Sequence, residues 1–159
     1  NQPLTSTDLR LQIDNDWLLS LDNGLAKEYD KKITNLLKEL IDLNMLGTEN
    51  MFKFNTARNL LVLSLLEVCF KRYMYRTSGN LEGIPEGGLH GKIMKVINEM
   101  TRENVIDIGE KNQIKVLVSD NGYITTMNSI KHSYVLGDVN ILKTVFSTLR
   151  CYISYCIKI

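Results

Sequence analysis

The stretch 57–76, ARNLLVLSLLEVCFKRYMYR, decides the fold. Wound into a helix, its middle is apolar around almost the whole circumference, so no single face is left for water. That pattern predicts a helix over 55–76, begun at Asn55 or Thr56 as N-cap and packed on several sides as the central element of a bundle. Its end interleaves Lys71, Arg72 and Arg76 with Tyr73 and Tyr75. Alternating cations and aromatic rings suit a nucleic acid, which makes Lys71, Arg72 and Arg76 candidate RNA-binding residues. The same cations also belong at a helix C-terminus, where they answer the dipole.

Upstream, Tyr29, Ile33, Leu36, Leu37, Leu40, Ile41 and Met45 recur at three-and-four spacing and predict an amphipathic helix over 27–46, with Gly47 ending it. Lys31, Lys32, Lys38 and Glu39 form its solvated face. Before it, apolar positions broken by Asp14-Asn15-Asp16 read as one or two short helices that cap the main body.

Downstream, 77–91 carries five glycines and a proline and is a loop. Gly91-Lys92 superficially resembles the end of a phosphate-cradling loop, but Glu86 stands where the first glycine belongs and Ile93 where a Ser or Thr would hold magnesium. Leu89, Ile93, Val96, Ile97 and Met100 define a helix over 89–101, and a closing helix over 138–157 is capped by Asp138. Around 113–127 two readings stay open. Ile114, Val116 and Val118 alternate ahead of Asp120-Asn121-Gly122, which is hairpin chemistry, whereas Ser119 or Asp120 would cap a helix carrying Tyr123, Met127 and Ile130 inward. Four long helices outvote one hairpin. The fold class is all-α, a bundle of four or five main helices with short N-terminal helices and, on one reading, a small β-hairpin near 113–127.

Composition bounds the function without naming it. At 159 residues, 44% hydrophobic and 23% charged, the chain is one globular domain spanning 1–159, and a net charge of +1 excludes a polyelectrolyte. The longest uninterrupted apolar run, Leu60 to Leu63, is far short of the ~20 residues a membrane span requires, so no membrane partner is expected. Cys69, Cys151 and Cys156 are odd in number and lack CxxC spacing, and read as reduced, buried thiols of a cytoplasmic protein. The chain begins Asn-Gln-Pro, and is expected to be cut from a longer protein.

The catalytic inventory is short. His90 has no Cys, Asp or second His at ligand spacing. Asp14 and Asp16 fit a helix cap better than a cation site, so no metal and no cofactor are expected. The informative constellation is 127–133, MNSIKHS: on a helix, Asn128 and His132 are four apart and share a face, with Lys131 beside them. An amide, an imidazole and an ammonium together suit a phosphodiester. His132, Asn128 and Lys131 are therefore the candidate catalytic residues.

The order of parts over about 55–157 resembles the HEPN superfamily of small all-α domains, with 1–50 as a helical extension. That family's signature is an Arg, commonly followed by a polar residue such as Asn, and a His four to six residues after the Arg, often reading RNxIAHG. Asn128, Ile130 and His132 stand in register, while Met127 replaces the Arg and Ser133 the Gly. The resemblance implies metal-independent endoribonuclease ancestry, a site assembled at a homodimer interface, and a place in prokaryotic defence or restriction-type systems. It implies a His for proton transfer and a cation for the phosphorane charge. With the Arg missing, the expected function is a non-catalytic module that dimerises or binds RNA or a partner protein. One alternative is a divergent endoribonuclease using His132 with Lys131 or a remote cation, Arg58 or Arg150, whose rate Met127→Arg would raise. The other is an unrelated all-α interaction domain. A homodimer is expected through the surface near His132 and the closing helix, where Tyr134, Tyr152 and Tyr155 lie.

Overall fold

The computed structural model describes residues 10–21, 24–46, 54–84, 88–119, 122–133 and 138–159, the side chains of 131–133 excepted. All regular structure among them is helical: α1 (Asp16–Ser20), α2 (Lys27–Asn44), α3 (Asn55–Ser78), α4 (Leu89–Arg102), α5 (Ile108–Val118), α6 (Tyr123–Ser133), α7 (Val139–Thr148) and α8 (Arg150–Lys158).

Helix α3 is the axis of the bundle. Over its 24 residues it runs about 36 Å at 1.5 Å per residue, and α2, α4, α6, α7 and α8 all pack against it. Val62, Leu65, Leu66, Cys69 and Phe70 are wholly buried, each large apolar side chain contributing roughly 1.5–3 kcal/mol on leaving water. Its start differs from expectation. Phe54, at φ 63°, is the residue before the helix, and Asn55 is its first helical residue, its Oδ1 accepting from Arg58 Nη1 at 2.9 Å. The C-terminus closes on Gly79 at φ 77°, whose amide donates to the Tyr75 carbonyl at 2.8 Å; glycine takes that left-handed conformation without the Cβ clash.

The 113–127 region is two helices, not a hairpin. Burial follows Ile114, Leu117 and Val118, the three-and-four spacing, while Val116, which the alternating reading turns inward, is 71% exposed. Helix α5 is started by a capping box: Asp107 Oδ1 accepts from the Glu110 amide at 2.8 Å, and Glu110 Oε1 accepts from the Asp107 amide at 3.3 Å. Gly122 serves a close approach at a turn between two helices rather than a hairpin. Its amide donates to the Ser119 carbonyl at 2.8 Å, and a Cβ there would lie 2.2 Å from the Leu117 carbonyl oxygen. Asp120 and Asn121 lie outside the described residues.

The closing helix is bent into α7 and α8 at Leu149 (φ −93°, ψ 6°), with Leu149 and Ile153 amides still bonded to Val145 and Leu149 carbonyls at 3.0 Å. The Asp138 cap is present, its carboxylate accepting from the Asn140 amide at 2.8 Å. The bend lets α7 face α6 and α5 while α8 faces α3, α4 and α1. Trp17 of α1 is the plug of the N-terminal segment, buried against Phe146 at 6.2 Å between ring centroids and covered by the Arg150 guanidinium at 5.1 Å. Asn44 fastens the same segment by bonding both the amide and the carbonyl of Leu11.

Candidate functional site

Helix α6 crosses α3 so that Asn128, half-buried, lines a cleft of about 500 Å3. Across from it stand Ser64 and Glu67 of α3, and Gly88, Leu89 and Lys92 at the start of α4. Lys92 Nζ donates to Glu67 Oε1 at 2.5 Å, and both side chains are largely buried. The cleft is thus polar at Ser64 and Asn128, and its cation carries its own counter-ion.

Met127, where the resemblance expects an arginine, is 0% exposed among core side chains. An arginine at 127 would enter the core, which makes Met127→Arg a destabilising change. His132 lies one turn beyond Asn128 on α6, with Lys131 just before it. Their side chains lie outside the described residues. The two remote cations are occupied elsewhere: Arg58 donates to Leu43 O at 3.0 Å and to Asn55, while Arg150 covers the Trp17 ring. Burial holds Arg58 below the usual guanidinium range.

The basic and aromatic alternation at the end of α3 knits helices together. Arg72 is 1% exposed; its Nε donates to Asp30 of α2 and its Nη1 donates at 2.6 Å to the Cys156 carbonyl of α8. A buried guanidinium does not reach a surface polyanion, so Arg72 is corrected from RNA-binding candidate to core residue. Arg76 donates to the Ile159 carbonyl at 3.1 Å. Tyr73 packs on Tyr155 and Tyr75 on Tyr29, with centroids 6.0 and 5.8 Å apart. Lys71 is half-buried and stands apart from this cluster.

Of the three tyrosines expected at an interface, Tyr152 is fully buried within the chain and donates to the Leu66 carbonyl at 3.0 Å. Tyr155 is half-buried and donates to Glu103 at 3.0 Å, which together with burial raises its phenol well above the ordinary range. Tyr134 lies outside the described residues. Cys69 and Cys156 are buried and Cys151 half-buried, all three free; burial pushes the Cys69 thiol up to about 12, against a smaller opposing pull from Arg72. Such thiols are poor nucleophiles.

Two features escaped the sequence reading although signals were present. Ser64 and Glu67 are the only polar residues between Leu60 and Phe70 and lie three apart, which marks a polar notch in an apolar helix. Asp30 stands in register with Ile33, Leu37 and Leu40 on the inward stripe of α2, and is buried with them. Asp14 forms a local turn ahead of α1, its Oδ1 accepting from the Asp16 amide at 2.9 Å, while the N-cap is Asn15, with no side-chain cap bond; His90 Nδ1 bonds the Val118 carbonyl, tying α4 to the end of α5. Among the described residues no group of three His, Cys, Asp or Glu side chains is placed to hold a metal, and no helix is long and apolar enough to cross a membrane.

Comparison with family models, with curated proteins and with solved structures returned no match to this chain.

Proposed function

We propose that this chain is a HEPN-like helical interaction module, a dimerisation or RNA- or partner-binding domain of a prokaryotic defence or restriction-type system, and that it is not a nuclease. One observation carries the reading. Among the described residues the cation lining the cleft beside Asn128, Lys92, is neutralised by Glu67, and the position of the family's arginine is a buried methionine. Charge gathering on a phosphorane needs an uncompensated cation aimed at it, and loss of such a group costs orders of magnitude in rate. A binding role makes no such demand.

The test is cleavage of single-stranded RNA in EDTA by wild type and His132→Ala. The module reading expects no cleavage above background from either. Cleavage by wild type that His132→Ala abolishes would replace it with the metal-independent endoribonuclease. Cleavage that survives His132→Ala, or that requires magnesium, would remove both readings of the motif.

A further inference from the structure

Between α2 and α3 runs an apolar groove of about 630 Å3 floored by Leu43, Leu46, Leu60 and Leu61 and flanked by Phe54, which is 54% exposed. Among the described residues its ionisable lining side chains, Glu39 and Asp42, are both acidic and both exposed on α2. The opposite character sits on α5. Ile108, Asn112, Lys115 and Val116 recur at the spacing of one helical face, with Lys111 at its edge. Ile108, Lys115 and Val116 are all exposed, and Glu110 is turned back into the capping box. One surface is therefore an apolar trough with an acidic rim, and another is an apolar helix ridge with ammonium groups.

We infer that the α2–α3 groove is a docking site for the α5 ridge of a second copy of this chain. Docking sets the side chains of Ile108 and Val116 on the leucine floor, and Lys111 and Lys115 against Glu39 and Asp42. Apolar burial supplies the affinity and the charges fix register and orientation. Groove and ridge are different surfaces and the proposed contact is head-to-tail, so repeated copies build a ring or a filament. It adjoins the Asn128 cleft through Leu60 and Ser64, and goes beyond the module reading.

Sedimentation of the whole chain from about 5 to about 300 µM tests it, since mass action makes the assembly concentration-dependent. Wild type is expected to grow past the dimer. Glu39→Lys with Asp42→Lys, and separately Lys111→Glu with Lys115→Glu, each weaken that growth about tenfold or more, since like charges then face each other. All four positions are at or near the surface, and circular dichroism verifies that each variant is folded. Mixing the two variants restores growth, because each groove again meets a ridge of opposite charge. A wild type that stays monomeric or stops at a dimer overturns the assignment. So does growth that neither charge reversal weakens, or a mixture that fails to reassemble.

Discussion

Removing the carboxylate of Asp30 strands a guanidinium in the core. Arg72 and Asp30 have side chains 1% and 2% exposed, and without Asp30 the guanidinium keeps one hydrogen bond among the described residues, to the Cys156 carbonyl at 2.6 Å. That carbonyl belongs to the last described turn of α8, so Arg72 joins α2, α3 and α8. Breaking a buried pair from one side costs about 3–5 kcal/mol, about a fifth or more of a total stability on the order of 5–15 kcal/mol. With a urea m-value of about 2 kcal/mol/M, Asp30→Ala should lower the unfolding midpoint by about 1.5–2.5 M. Arg72→Met should cost a similar amount, because Asp30 Oδ2 already has no hydrogen-bond partner among the described residues. Asp30→Leu combined with Arg72→Met should lie within about 1–2 kcal/mol of wild type, since both desolvated charges leave together. The assay is a urea double-mutant cycle followed by far-UV circular dichroism, using Asp30→Leu as the matched single. A double variant as unstable as the sum of its parts would refute the reasoning, and so would an Asp30→Ala loss under about 1 kcal/mol.

Stability should fall in alkali. The Cys69 thiol titrates near 9.0 when unfolded and is pushed up to about 12 in the fold, so its contribution is complete below pH 9 and lost between pH 9 and about 12, at about 1.4 kcal/mol per pH unit. Cys156 and Tyr152 are also raised by burial and steepen the loss; a urea midpoint flat from pH 8 to 11 contradicts this. Met127→Arg should cost about 3 kcal/mol or more and show as a lowered Tm without any gain in RNA cleavage. Gly122→Ala, whose Cβ would press on the Leu117 carbonyl, should cost about 1–3 kcal/mol by thermal melt. Trp17→Ala should cost about 3–5 kcal/mol and expose the amides of α1 and its flanks to hydrogen exchange.

The sequence by itself determined the elements that declare themselves by period. Helix α3, apolar all round, could only be central, and the stripes of α2 and α4 could only face it, because burial of leucine and isoleucine at three-and-four spacing is a local property of the chain. The Asp138 cap and the Asp14 turn were equally local. Around 113–127 local pattern was degenerate: alternation of Ile114, Val116 and Val118 coexists with the three-and-four spacing of Ile114, Leu117 and Val118, and packing of the latter three on neighbouring helices chose the helix. Only the tertiary structure could tell which charged residues face inward. Arg72 and Lys71 are adjacent in a basic run, yet one is buried and the other half-buried, because α2 happens to bring Asp30 opposite Arg72. The same holds for the cleft. Asn128 was legible as a polar residue on α6, but Glu67 and Lys92, 25 residues apart, meet beside it through the crossing of three helices. A constellation made of non-local partners leaves no spacing for a sequence pattern to record.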